Sequence, residues 1–229
     1  MTPVAAYDPN FCYPVKELES ARVKLVPFFP SQHAEAFFAG TREYPEIYEF
    51  LPWKPFASIR EVLKTAEDIR SNRNEILFAI LDKATVSGGG RPSFAGIIGL
   101  LNTSQPNLST EIGFLIIFPA MWGRSIASAA TQSLLHWTLD PPSDGGLGMR
   151  RVQWQANELN VPSVRVAESI GFRLEGTTRW QRVVVEGKPG PTKPGEDKRP
   201  GRHSMIFAYC WDDWEDGGGG KFLQGINRV

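Results

Sequence analysis

The stretch from Leu108 to Trp137 narrows the choice of folds more than any other part of the chain. An apolar run, LSTEIGFLIIF over 108–118, meets Pro119 and a short segment of small residues. It then continues into a helical pattern over Gly123–Trp137, with Ile126, Ala127, Ala130, Leu134 and Leu135 on one side. A strand that enters a helix through a tight turn leaves free backbone amides at the helix start, where the helix dipole also favours negative charge, so such a turn suits a phosphate. Gly123 lets backbone approach a ligand closely, Ala127 keeps the next turn slim, and Arg124 can add a charge-assisted contact. Taken alone, the same turn also fits an ordinary strand-to-helix connection.

The rest of the chain supplies the context. Residues 1–20 read as an irregular arm, and Val23–Val26 as a strand closed by Pro27. Ser31 is a candidate N-cap for a helix reaching Thr41, with Ala34, Phe37 and Phe38 on one face, and Ser58 for a second helix carrying Ile59, Val62, Leu63, Ala66 and Ile69. Between them lies the aromatic, proline-broken segment Tyr44–Phe56. Strands follow at Ile76–Leu81, Phe94–Leu101 and Leu108–Phe118, the first two joined by a loose hairpin connection containing Gly88, Gly89 and Gly90. After the helix come a turn at Pro141–Gly148, a strand at Val152–Ala156, a helix at Val161–Ile170 and a long strand at Phe172–Val185. Glu186–Arg202, rich in glycine, proline and charge, reads as a mobile loop before the closing strand Ser204–Trp211. The order predicts a mixed α/β domain over 21–211, with a mostly antiparallel sheet of about seven strands flanked by helices. An acidic, glycine-rich tail over 212–229 is expected to be poorly ordered.

Charge and cysteine usage exclude several functions. Lys plus Arg equals Asp plus Glu at 25 each, so no global field draws the chain to nucleic acid or anionic lipid. An anionic ligand must therefore be held locally. Two cysteines, Cys12 and Cys210, are too few for a disulfide framework and read as free thiols of a reducing compartment. With no apolar run of membrane-spanning length, the expectation is a cytoplasmic protein, monomer or homodimer, without membrane or nucleic-acid partners. His33 reads as exposed and His136 as a helix-end residue, and no histidines or cysteines have zinc-ligand spacing, so no metal is implied.

Three segments, in order, resemble the GNAT superfamily of N-acetyltransferases, specifically its RimJ/RimL-type branch. They are Glu111-Ile112-Gly113-Phe114; Pro119-Ala120-Met121-Trp122-Gly123-Arg124-Ser125-Ile126-Ala127; and Asn160-Val161-Pro162-Ser163 followed by Glu168-Ser169-Ile170-Gly171-Phe172 and Glu175-Gly176. The resemblance implies a GNAT fold splayed at the acyl-CoA site and acetyl-CoA as co-substrate. Its pyrophosphate would lie at Trp122, Gly123, Arg124, Ser125, Ile126, Ala127 and Ser128, and its pantetheine along Leu115, Ile116, Ile117 and Phe118, with Asn160 and Ser163 beside it. Three positions depart from the family pattern: Ser125 stands where the family has a second glycine, Ala129 replaces a common glutamate, and Ala167 a tyrosine that many members use as general acid.

Amine acylation from a thioester requires a neutral amine, a polarised carbonyl and a proton for the departing thiolate. Glu111 is the candidate base, on a strand face that period-two alternation would share with Gly113 and Leu115; its alternative is a solvated strand-edge glutamate. Ser163 is the proton donor the resemblance offers, or else a helix-start hydroxyl bonding backbone. Tyr48 and Trp53 from the aromatic segment, Glu111 and His203 are the expected acceptor contacts. The leading function is transfer of acetyl to a primary amine of a small molecule or a peptide N-terminus. Its rivals are a longer acyl donor and a CoA-binding module without turnover.

Overall fold

The computed structural model describes residues 7–84, 92–195 and 197–219. Gly88, Gly89 and Gly90, expected in a hairpin connection, lie outside the described residues, as does the end of the tail. Eight strands form one sheet: β1 (Leu18–Glu19), β2 (Val23–Pro27), β3 (Ile76–Asp82), β4 (Ser93–Ser104), β5 (Ser109–Ile117), β6 (Arg151–Asn157), β7 (Arg173–Val183) and β8 (Gly201–Cys210). Their spatial order is β1-β2-β3-β4-β5-β6-β8-β7, antiparallel throughout except for the parallel pair β5–β6. Four helices, α1 (Pro30–Thr41), α2 (Ile59–Ser71), α3 (Ile126–Leu139) and α4 (Val161–Ile170), cover it.

Strand alternation divides the core in two. Leu25, Phe78, Ile98 and Ile112 face one way and pack with Ile126, Leu134 and Ile170 of α3 and α4. Their neighbours Val26, Ala79, Ile97 and Ile116 face the other way and pack with Phe37, Tyr48, Val62 and Ala66 of α1, α2 and the segment between them. The α3/α4 face carries apolar residues across to β6 and β8, where Val152, Trp154, Ala156 and Phe207 continue the core. On the opposite face the intervening residues of β6, Gln153 and Gln155, are polar. This half of the α1/α2 face is the chemically distinctive part of the sheet.

Helix starts differ from their expected form. The α1 helix begins at Pro30, one residue before Ser31, and its cap position is Phe29, whose N–H donates to His33 Nδ1 at 2.9 Å. That bond, and packing against Phe28, Phe29 and Phe94, buries His33, which was expected on the surface; burial also lowers its pKa. Ser58 does occupy the cap of α2, but its side chain makes no cap bond; Glu61 instead accepts from the Ala57 N–H at 2.8 Å. The α3 helix starts at Ile126, three residues later than Gly123, because Gly123 (φ 74) and Ser125 (φ 58) both take left-handed backbone conformations.

The flanks pack onto the α3 side. Leu18–Glu19 adds an edge strand, and Phe11 lies 6.1 Å from Trp137, ring to ring. After β8, the short helical turn Trp211–Asp213 brings Trp214 against His136 (4.8 Å) and Tyr209 (5.6 Å), with its indole donating to Asp140 Oδ1 at 2.8 Å. Trp214 is buried, so the first part of the acidic tail is a docked element. Cys12 and Cys210 are free thiols. Among the described residues no helix is long and apolar enough to cross a membrane.

Removing the Trp214 indole should open a cavity and take the donor from Asp140 Oδ1, leaving the Asp140 carboxylate its contact with His136, at a cost of about 3 kcal/mol. Urea unfolding of Trp214→Ala would show it as a lower midpoint at unchanged slope; a midpoint equal to the parent's would mean that the tail does not hold to the domain.

Candidate functional site

The parallel strands β5 and β6 part company at a defined place. Their register runs from Ser109↔Arg151 to Ile112↔Trp154 and then stops, while β6 goes on to pair with β8. Just beyond, β5 bulges: Gly113 pairs with Gly99 and Ile116 with Ile97, so Phe114 and Leu115 together oppose Ile98. Phe114 takes φ 54, rare for a bulky residue, and its ring stacks on Trp53 at 5.2 Å and 9°. The bulge resets alternation, so Leu115 faces the α3/α4 core with Ile112, not the face of Glu111 as unbroken period-two spacing would give.

The splay frees backbone on β5. The Phe118 N–H donates to Ala95 C=O at 2.9 Å, which fixes the amides of Phe118 and, by alternation, Ile116 toward β4. Leu115 and Ile117 consequently turn their amides into the gap. On that side the Ile117 carbonyl accepts from Trp122 Nε1 at 2.8 Å. Of the four residues expected to present amides, two therefore do so; Ile116 and Phe118 contribute buried side chains on the other face.

Because β5 and β6 are parallel, the helices that follow them both begin at the mouth of this gap. At α3 the first helical bond runs from Ala129 N–H to Ser125 C=O, and Ser125 makes no side-chain cap bond, leaving the amides of Ile126, Ala127 and Ser128 available. Trp122, Gly123, Arg124 and Ser125 are exposed in front of them, and a Cβ on Gly123 would meet no atom within 4 Å. A groove of about 1140 Å³ extends from Arg124, Ser125 and Ser128 along the outer flank of α3; only that end of it touches the turn. At α4, Asn160 Oδ1 caps the helix by accepting from Ser163 N–H at 3.2 Å. Ser163 Oγ accepts from the buried Trp154 indole at 3.1 Å, so its own proton points elsewhere and can be donated.

Glu111 sits on the opposite face, beside the last paired residues before the splay, and is buried. Its Oε2 accepts from Asn102 Nδ2 (3.0 Å), Gln153 Nε2 (3.1 Å) and Gln155 Nε2 (2.9 Å). The amide oxygens behind these donors are themselves occupied: Arg151 donates to Gln153 Oε1, and Gln181 to Gln155 Oε1 at 2.7 Å. Donors thus converge on Glu111 from both sides, an arrangement that suits a carboxylate rather than a neutral group. Burial nevertheless raises its pKa, with Asn102, Gln153 and the Arg182 and Arg202 guanidinium groups opposing the rise. Arg202, at the end of the segment expected as a loop, belongs to β8 and is buried. Burial and the neighbouring Arg182 push its pKa down to about 10, against the pull of Glu111, and it remains a cation at neutral pH.

The expected acceptor contacts separate. Trp53 is half-buried against Phe114 and lies at the bulge. Tyr48 is a core residue instead, 1% exposed and packed edge-on against Phe56, because its segment folds inward under α1 and α2. His203 lies between Arg202 and Ser204 on β8, and alternation sends it to the α3/α4 face, away from Glu111; its Nδ1 accepts from the Trp180 N–H at 2.9 Å. The segment expected as a mobile loop is tethered: Lys188 Nζ donates to the carbonyls of Tyr48 (2.8 Å), Leu51 and Trp53 (2.6 Å), and burial lowers its pKa. Gln153, Gln155 and Arg182 are site residues that the sequence pattern does not single out, while Phe114 falls in the Glu111–Phe114 motif and Lys188 and Arg202 in the cationic 186–202 segment without a role of their own. Alternation through Val152-Gln153-Trp154-Gln155-Ala156 held the signal for the two glutamines; the glycine- and proline-rich context hid Arg202 and Lys188. Cys210, Asp212 and Asp213 place ligand atoms within 4.8 Å of one another at the other end of β8, where Arg173 already pairs with Asp213 at 2.6 Å.

The chain is similar to known proteins. The family model described as "Acetyltransferase (GNAT) domain" matches residues 22–173. An N-acetyltransferase from Bacillus licheniformis, p20, itself uncharacterized, is 25% identical over 138 residues, 59% of this chain and 71% of that protein. The crystal structure of a GCN5-related N-acetyltransferase from Brucella melitensis superposes with a TM-score of 0.76 at 24% identity, covering 93% of this chain and 86% of that one. A ribosomal-protein-serine acetyltransferase structure from Vibrio cholerae, so described without established activity, gives 0.65 at 14% identity over 86% and 98% of the two chains.

The raised pKa of Glu111 has a sign that stability measurements can read. In the window between the ordinary carboxylate value and the raised native one, the folded state binds more protons than the unfolded, so this group's contribution to stability falls as pH rises. Glu111→Gln carries no such term. Its stability relative to the parent should therefore improve on going from about pH 4 to pH 8 and level off above the native pKa. Thermal unfolding of both across that range checks it; a difference constant with pH would mean that the buried carboxylate is not penalised.

Proposed function

The chain belongs to the GNAT acetyltransferase family, and from that premise we propose that it transfers the acetyl group of acetyl-CoA to a primary amine by direct attack in a ternary complex. The observation that carries this reading is the gap between β5 and β6, with two uncapped or lightly capped helix starts on one face and a buried carboxylate on the other. Pyrophosphate fits the amides of Ile126, Ala127 and Ser128, with Arg124 and the open space before Gly123 next to them. Pantetheine then runs along the free edge of β5 at Leu115 and Ile117, bringing the thioester into the gap. The motifs at Glu111–Phe114, Pro119–Ala127 and Asn160–Ser163 support a RimJ/RimL-type branch.

In this scheme the amine reaches the thioester from the α1/α2 face. Glu111 holds three amide donors on Oε2, which leaves Oε1 to take the ammonium proton, directly or through water. The neutral nitrogen attacks the thioester carbonyl carbon while the Ile117 amide stabilises the developing oxyanion. Collapse breaks the carbon–sulfur bond as the attacking nitrogen gives up its second proton, which the Ser163 hydroxyl, oriented by the Trp154 indole, relays to the departing thiolate, so that the serine ends neutral. The raised pKa of Glu111 brings the base closer to the pKa of its amine partner and makes the transfer less uphill.

Two substitutions test the halves of the scheme separately. Gly123→Glu puts bulk and negative charge against the pyrophosphate, and calorimetry should show acetyl-CoA affinity falling at least about tenfold, roughly 1.4 kcal/mol. Unchanged affinity in the folded variant would move the CoA site elsewhere. Glu111→Gln should lower kcat for amine-dependent thiol release with the acetyl-CoA Kd unaltered, the deficit shrinking as pH rises and the amine deprotonates unaided. A deficit equal at all pH values would make Glu111 structural, and binding of acetyl-CoA with no thiol release for any amine would favour a CoA-binding module without turnover.

A further inference from the structure

Arg182 and Arg202 are Cα partners across the β7–β8 ladder, directly opposite one another. Like charges in that relation repel, and a sheet ordinarily avoids the arrangement or neutralises it. Here no direct ion pair relieves it: among the described residues neither guanidinium is within ion-pair distance of a carboxylate. Arg202 is also 7% exposed, and its Nε has no hydrogen-bond partner. Glu111 acts on the pair only at a distance, without a direct ion pair, and a desolvated cation so placed is costly to a fold.

Two more unpartnered polar atoms lie in the same neighbourhood. Ser204 follows Arg202 by two residues on β8, so its side chain shares that face, and its Oγ is buried with no partner. Gln181, next to Arg182, reaches Gln155 through its nitrogen while its Oε1 is buried and unbonded. The register Gln155↔Ile206 and Asn157↔Ser204 puts Arg202 and Ser204 on the face that carries Gln153, Gln155 and Glu111. Ordered water can satisfy a hydroxyl and an amide oxygen, but it does not offset two cations.

We propose that the acceptor is a small amine carrying its own anion, a carboxylate or a phosphate, which Arg202 and Arg182 bind with help from the Ser204 hydroxyl while its amine faces Glu111. This rests on the acetyltransferase reading for the amine, though the anion subsite stands on its own observations. An amino acid has both groups a few bonds apart. A peptide N-terminus does not, unless an acidic residue follows closely, so the subsite selects free amino-acid-like or phosphoamine acceptors over ordinary protein N-termini. Bidentate guanidinium recognition supplies the selectivity, since an uncharged analogue leaves both arginines unpaired.

The experiment compares matched acceptors in acetyl-CoA thiol release: an amino acid, its carboxamide, the decarboxylated amine, and phosphoethanolamine against ethanolamine. The parent should prefer an anion-bearing member over its uncharged counterpart by roughly 30-fold or more in kcat/KM, and which pair shows it decides between carboxylate and phosphate. In Arg202→Met that ratio should collapse to within about threefold, through KM, while acetyl-CoA Kd holds and thermal stability does not fall, since an unpaired buried cation has been removed. Equal use of charged and uncharged acceptors by the parent overturns the proposal, as does an Arg202→Met variant that loses both classes in proportion. Should Arg202→Met fail to fold, Arg182→Gln with the same panel takes its place. If no amine releases thiol, it is the acetyltransferase reading that fails. Calorimetry of glycine and phosphoethanolamine against parent and Arg182→Gln then decides the subsite: binding lost in the variant supports it, and no binding to the parent overturns it.

Discussion

Phe114 sits in the left-handed region at φ 54 in the middle of a strand, a position that costs a non-glycine residue about 1–2 kcal/mol. What holds it there is the stack on Trp53 and the absence of a side chain on Gly99, where a Cβ would stand 3.0 Å from the Phe114 ring and 2.4 Å from the Ile76 carbonyl oxygen. Because two residues of β5 oppose one of β4 at this point, β5 twists away from β6 directly after their last pair. The free amides of Leu115 and Ile117, the docking of Trp122 on Ile117, and the placing of both helix starts at one mouth all follow from that single extra residue.

The two faces of the sheet then differ because their covers differ. Over β2 to β5 the α1/α2 face is closed by aromatic side chains from Phe37 to Phe118, whereas over β6, β8 and β7 it carries glutamines, arginines and a serine. Polar groups so placed cannot be left to water alone once Glu111 and Arg202 are buried, and the amide relay from Arg151 and Gln181 toward Glu111 is the fold's answer on the carboxylate side. Nothing equivalent serves the two arginines, and this asymmetry is what an acceptor anion would correct. Lys188, donating to the carbonyls of Tyr48, Leu51 and Trp53, ties the connection between β7 and β8 to the aromatic segment.

Much of this was legible from residue pattern, and the limits are specific. The short apolar runs at 76–81, 94–101 and 108–118 located three strands because the hydrophobic pattern is local. The mixed α/β sheet and the strand-to-helix turn could be read in the same way. The bulge could not: Glu111, Gly113 and Leu115 satisfy period two on paper, and only pairing with β4 reveals that two residues share one partner. Tyr48 and Trp53 are alike in sequence terms, both aromatic and five residues apart, yet one is core and the other lines the bulge; the difference lies in how the segment turns under α1. Arg202 was lost for another reason. Its neighbours Pro200 and Gly201 signal a loop, and the strand takes it up only because β7 is present to pair with it.

Backbone strain gathers around the same place. Six non-glycine residues take positive φ among those described: Asn10, Asn102, Leu108, Phe114, Ser125 and Trp180. Three of them touch the site: Asn102 donates to Glu111, Phe114 makes the bulge and Ser125 begins α3. Ser125 is the informative one, because the family pattern has glycine there and serine must adopt the left-handed conformation at a cost of about 1–2 kcal/mol. The Ser125 Oγ, exposed and free of any cap bond, is an added donor in front of the Ile126, Ala127 and Ser128 amides. A chain gains nothing in stability from a strained serine at an exposed turn, and the strain accords with the pyrophosphate seat proposed there.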